Sequence, residues 1–189
     1  MSFPTELRTA RLLLRPWRAA DAAGLQPILE ANREHLGPWI PARVAEPVPV
    51  PALARRLADF GEKFAADREW RFAMLSRDER RIFGEVGLFP RDATGRVPFA
   101  HADRAELGYW LRVDATGQGI VTEAARAVLG VAAAMPAFSH IEIRCDGRNG
   151  PSVGVARRLG FHLAAPPSGA AEQSASSCDH SQIWISELV

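Results

Sequence analysis

The sequence predicts an α/β fold, a mixed and mainly antiparallel sheet with helices on both faces. Three observations predict it. An apolar run over residues 107–113 leads through Thr116-Gly117-Gln118-Gly119 into an alanine-rich helix. Further on, residues 140–145 (His-Ile-Glu-Ile-Arg-Cys) alternate as a half-buried strand does and feed a second, shorter helix. Ahead of both, residues 71–76 and 81–89 read as adjacent strands turned at Asp78-Glu79. Two strand–turn–helix units side by side give two parallel strands with both turns at one end. The sheet is expected to open where those central strands diverge, which is where open α/β sheets usually place a ligand.

Each element can be justified in chain order. Residues 11–15 (Arg-Leu-Leu-Leu-Arg) read as a first strand, stopped by Pro16, and Asp21 is placed to cap a helix reaching about Ala31. Residues 38–51 are proline-rich and exclude a regular helix. The next helix carries Leu53, Leu57, Phe60 and Phe64 along one face, a core stripe and not a cofactor box. After the strand pair, a looser stretch through Pro98 and His101 reaches the strand begun by Glu106. The helix after Gly119 offers Val121, Ala124, Val128 and Leu129 to the core, and Pro136 ends its run. In the second unit Asn149 suits an N-cap, Pro151 the first turn and Gly160 the C′ position, with a further strand starting at Phe161. Residues 165–179 read as a mobile loop, and residues 182–188 close the sheet. No linker divides the chain, so residues 1–189 are expected to form one domain.

Composition excludes several classes. A net charge of +1 gives no broad pull toward nucleic acid or a membrane. Lys63 is the lone lysine; the other basic residues are arginines, which fits a GC-rich genome better than a binding patch. No apolar run approaches the ~18 residues of a membrane span and no charged leader opens the chain, so a cytoplasmic protein is expected. Cys145 and Cys178 lack metal-ligand spacing and are expected as free thiols, and no histidine pair has that spacing either. No metal is expected.

The Gly117-Gln118-Gly119 turn before a helix is an anion site in outline. Glycines let the backbone approach closely, and the unpaired N–H groups of a first helical turn point at the ligand. Thr122 stands where the third glycine of a dinucleotide fingerprint belongs, and no Gly-Lys-Ser/Thr follows, so both nucleotide readings drop out.

These motifs together resemble the GCN5-related N-acetyltransferases (GNAT). The likeness rests on the glycine turn after Tyr109-Trp110-Leu111, on Glu123-Ala124, and on Asn149-x-x-Ser152 with Leu159-Gly160-Phe161. The opening Thr9-Ala10-Arg11-Leu12-Leu13-Leu14-Arg15-Pro16, followed by Asp21-Ala22, is similar to the branch of ribosomal-protein alanine N-acetyltransferases (RimJ/RimL-like). The resemblance implies the GNAT fold, splayed between its two central strands, and acetyl-CoA as acyl donor. It places the pyrophosphate on Gly117, Gln118, Gly119 and Ile120, and pairs the pantetheine arm with Leu111, Arg112 and Val113. Asn149 matches the position that hydrogen-bonds the pantetheine, and the Val113 N–H would serve as oxyanion donor. The sequence departs from the family at the first position of the turn pattern, where Asp114 stands and is expected to point away. Homodimers are common among similar proteins.

The chemistry needs a neutral amine to attack a thioester. An α-amino group, with a pKa of roughly 7.7–8.0, needs far less help than a lysine near 10.4. A base, an N–H donor for the oxyanion and a weak acid near the leaving sulfur complete the kit. Glu106 is the candidate base, with Glu85 as rival. Many relatives carry a tyrosine acid where this chain has Ala156, so Ser152 is the candidate proton donor to the thiolate, alternatively a helix cap or pantetheine contact. Tyr109 is expected to pack the strand face. The resemblance sets the acceptor between residues 36–51 and 165–180. Trp39 packs the acceptor or plugs the core, and His35, His101 and His180 are each a base or, more in keeping with a lone histidine, a surface residue. The expected activity is acetyl transfer to a protein N-terminal α-amine. A small-molecule amine is the alternative acceptor, and a non-catalytic acyl-CoA sensor the alternative class.

Overall fold

The computed structural model describes residues 3–164 and 180–187. Its strands are β1 (Leu7–Arg8), β2 (Leu12–Pro16), β3 (Trp70–Ser76), β4 (Ile82–Arg91), β5 (Arg104–Leu111), β6 (His140–Asp146), β7 (His162–Leu163) and β8 (Ser181–Glu187). Its α-helices are α1 (Ala22–Ala31), α2 (Arg33–Leu36), α3 (Ala42–Ala45), α4 (Val50–Ala65), α5 (Ile120–Ala132) and α6 (Gly150–Arg158). The strands lie in the order β1-β2-β3-β4-β5-β6-β8-β7. Every pairing is antiparallel except β5 with β6. The expected mixed sheet is therefore present.

Alternation along the strands divides the core into two layers. Leu12, Leu14, Phe72, Met74, Val86, Leu88, Leu107 and Ile141 pack on one face with Val121, Ala124 and Val128 of α5 and Val155 and Ala156 of α6. Leu13, Ala73, Leu75 and Trp110 turn to the other face, against Leu25 and Leu29 of α1 and Leu53, Leu57 and Phe60 of α4. Burying such a side chain contributes about 1.5–3 kcal/mol relative to leaving it in water. A period of two in the strands and a stripe in each helix therefore commit both elements to the same layers.

Several boundaries differ from the sequence expectation. A short β1, pairing Leu7 with Leu14, precedes the first expected strand. Asp21 does not cap α1 with its side chain; its oxygens instead accept from Arg15 and from the Arg18 N–H. The proline-rich segment holds the four-residue α3, and α4 begins at Val50 with Pro51 in its first turn, where no N–H is required. β5 ends at Leu111, two residues before Val113, because Val113–Ala115 form a single 3₁₀ turn. Leu129 is only partly buried. The expected loop at 165–179, Cys178 and the end of the last strand at 188 lie outside the described residues. Cys145 is a free thiol, and no group of His, Cys, Asp and Glu among the described residues is placed to hold a metal.

Candidate active site

The parallel pair positions the site. β5 and β6 are in register only at Ala105↔Ile141 and Glu106↔Glu142. Beyond that point β6 continues with β8 and β5 with β4, so β5 has an unpaired edge from Leu107 onward. A cleft of about 110 Å3 opens along that edge. Leu107, Gly108 and Tyr109 of β5 line it, facing Ile143, Arg144, Cys145 and Asp146 of β6. Asn149 and Ser152 close one end, and Pro38, Trp39 and Ile40 form an apolar lip between α2 and α3. An unpaired strand edge beside a cleft is suited to an extended ligand that adds as a strand does, its amides meeting free backbone groups.

The second part of the site is the turn after β5. Gly117 and Gly119 have φ +72° and +74°, a left-handed conformation that only glycine adopts without strain. No side chain caps α5. The backbone N–H groups from Gly117 to Thr122 have no acceptor among the described residues. Unpaired donors at and just before the positive end of a thirteen-residue helix are suited to an anion. Asp114 is turned aside: its oxygens accept from Arg112 Nε and Arg81 Nη2. Gln118 directs its side-chain amide back to the Asp114 carbonyl at 3.0 Å.

The other residues singled out in the sequence fall into two groups. Asn149 caps α6, its Oδ1 accepting the Ser152 N–H at 3.2 Å, and both side chains line the cleft. The Ser152 carbonyl accepts the Tyr109 hydroxyl at 3.2 Å. Burial pushes the Tyr109 phenol well above its ordinary value, so it keeps its proton and that proton is engaged. No described residue bonds the Ser152 hydroxyl, which leaves it the uncommitted O–H in the cleft. Cys145 is pushed up by burial and by Asp146, so its thiol stays protonated near neutral pH.

Glu106, Glu85, Arg112 and Val113 lie outside the cleft lining. Glu106 accepts from Arg91 Nη1 on one oxygen and Arg96 Nη2 on the other. Glu85 is buried and bonded by Arg71 Nη1 and Trp17 Nε1, both at 2.7 Å. The Arg112 N–H donates to the Phe83 carbonyl. The Val113 N–H donates to Asn32 Oδ1 at 2.7 Å, so the oxyanion donor named for Val113 is already engaged. The open backbone edge lies instead at Leu107–Tyr109. Asn32 and Cys145 were missed in the sequence because strand spacing carries no signal for a contact across a long chain separation. His35 and His101 line neither the cleft nor the turn.

Comparison with known proteins places the chain in a family. The model of the acetyltransferase (GNAT) domain matches residues 11–162, and the chain belongs to that family. It is 26% identical over 156 residues to the probable N-acetyltransferase YjcK of Bacillus subtilis (strain 168), covering 82% of this chain and 83% of that one. Among solved structures it is similar to RimL, the ribosomal L7/L12 alpha-N-protein acetyltransferase in complex with coenzyme A held as a cysteine disulfide. The TM-score there is 0.74 at 17% identity, over 98% of this chain and 97% of that one. It is also similar to the microcin C7 self immunity acetyltransferase MccE in complex with acetyl-CoA and AMP, with TM-score 0.72 at 19% identity over 98% and 97%. The chain is an acetyl-CoA-dependent N-acetyltransferase with the GNAT fold.

Proposed function

We propose that this enzyme acetylates the α-amine of a protein N-terminus by direct attack on the bound thioester. The observation that carries the reading is the cleft on the free β5 edge, on the same strand that leads into the Gly117–Gly119 turn. From Leu107 to Leu111 the strand spans about 13 Å. The pyrophosphate lies on Gly117, Gln118, Gly119 and Ile120, and the pantetheine follows β5 past Leu111. The thioester rests beside Gly108 and Tyr109. The RimL structure holds coenzyme A in a disulfide with one of its cysteines; Cys145 puts a thiol in the cleft at the place proposed here for the donor sulfur.

The amine enters past Trp39 and Ile40 and attacks the thioester carbon. Its nitrogen forms the new C–N bond while the carbonyl π pair moves to oxygen, where a β5 backbone N–H of the open edge receives it. Collapse breaks the C–S bond, and the Ser152 hydroxyl donates toward the departing sulfur. The proton lost by the amine passes through water to Glu106, which stands two residues before Gly108 on the same strand face. An α-amine, already part neutral near pH 7.5, needs only this indirect help. That requirement and the likeness to RimL favour a protein N-terminus.

The second acceptor class is a small-molecule amine, and the likeness to a microcin C7 self immunity acetyltransferase is a reason to include it. Thiol release from acetyl-CoA over a panel of N-terminal peptides, lysine peptides with blocked N-termini and small amines separates the two. Release with free N-terminal peptides alone is expected. Release confined to small amines would transfer the assignment to that class.

A further inference from the structure

The anion turn leans on a residue far away in sequence. Arg11, the residue just before β2, donates its Nη1 to the Gln118 carbonyl at 2.9 Å. Its Nη2 has no described hydrogen-bond partner and lies 3.7 Å from where a Cβ on Gly119 would stand. The guanidinium is fixed from behind by Glu123 of α5, which accepts from Arg11 Nε at 2.6 Å, from the Arg11 N–H at 2.9 Å and from the Thr9 hydroxyl. The side chain is half exposed, so one edge of the fork faces water beside the unpaired N–H groups of the turn. A second polar group in the first turn of α5, the Thr122 hydroxyl, is more than nine-tenths buried and has no partner among the described residues.

We propose that Arg11 is a ligand of the donor pyrophosphate, held in place by Glu123; this rests on the acetyl-CoA reading above. With Nε and Nη1 engaged, Nη2 is the nitrogen left to donate to a phosphate oxygen, and a charge-assisted bond of this kind is about twice as strong as a neutral one. Glu123 serves as anchor. Burial alone would raise its carboxyl, but the hydrogen bonds from Thr9 and Arg11 outweigh that and hold it below its ordinary value. An ionised carboxylate at the start of α5 would repel a pyrophosphate if left bare. With Arg11 across it, the unit presents its positive edge to the turn. Asp114 is likewise covered by Arg81 and Arg112. The turn thus collects three guanidinium groups against two carboxylates.

The test compares two thioesters, acetyl-CoA and S-acetylpantetheine, which lacks the pyrophosphate. Dissociation constants for both are measured by fluorescence titration with the wild-type chain, Arg11→Ala and Arg11→Lys. Arg11→Ala is expected to weaken acetyl-CoA by about tenfold to a hundredfold and to leave S-acetylpantetheine unchanged, with Arg11→Lys recovering part of the loss. Equal weakening of both thioesters would show that Arg11 only shapes the fold, and unchanged affinity for both would show that it touches nothing that binds; either overturns the assignment. A wild-type chain that binds neither thioester would refute the acetyl-CoA reading itself, and the Arg11 assignment with it. If a thermal melt shows that Arg11→Ala does not fold, Arg11→Gln carries the comparison.

Discussion

Glu106 and Glu85 stand on adjacent strands with different burdens. Glu85 is buried between Arg71 and Trp17, and Arg71 in turn lies between the rings of Phe60 and Phe89 at 4.4 and 4.6 Å. Such a pair binds α4 to the sheet, and a proton taken up there would break it. Glu106 is anchored too, by Arg91 and Arg96, but Arg96 is about a third exposed and water can reach the pair. Replacing Glu106 with Gln should lower turnover by about tenfold or more, most severely at low pH, with acetyl-CoA affinity unchanged. A pH–rate profile identical to that of the wild type would leave Glu106 as an anchor for the two arginines. At this scale little was legible in the sequence. Glu106, Ser152 and Asn149 could be nominated from their motifs. That Asn32 takes the Val113 N–H, or that Arg11 meets Gln118, depends on side chains brought together across 81 and 107 positions.

At the scale of elements, the parallel β5–β6 pair is short, and charge stabilises its start. Glu142 is buried on β6, where it accepts from Arg144 at 2.8 Å and lies near His140 and Arg104. Burial pushes its carboxyl up, but the Arg144 hydrogen bond and charge, with His140 and Arg104, outweigh this and hold it below its ordinary 4.5. A carboxyl depressed in the folded state stabilises fully above its unfolded pKa, and the contribution is lost as pH falls through the folded value. Glu142→Gln should therefore be less stable than the wild type near pH 7 and lose less stability on acidification below about pH 4.5, measured by urea unfolding. Parallel stability curves for the two proteins would contradict this. Long periodic elements were legible here: the α4 stripe, the β3–β4 pair, and the Asn149 cap with Gly160 at φ +85° after α6. Short ones were not. β1 and α3 span two and four residues, too few for periodicity to register, and the end of β5 is set by where the Arg112 and Val113 N–H groups find acceptors.

For the molecule as a whole, the order of two strand–turn–helix units was enough to predict both the open sheet and the place where it opens. The acceptor was not legible, because the lip at Pro38–Ile40 comes from a proline-rich segment whose path depends on packing. In the binding mode proposed above the donor is held at two places, the turn and the cleft, and a change at one should weaken the whole ligand. The most direct measurement is calorimetric titration of the wild-type chain and Gly117→Glu with acetyl-CoA. Gly117 has open space where a side chain would start, so the new carboxylate enters the proposed phosphate position without a clash, although its φ of +72° adds strain. Binding by the wild type with a loss of about a hundredfold or more in a folded Gly117→Glu is the result this account predicts. Equal affinity in the two proteins would mean that the phosphates lie elsewhere and that the turn at Gly117 holds no ligand.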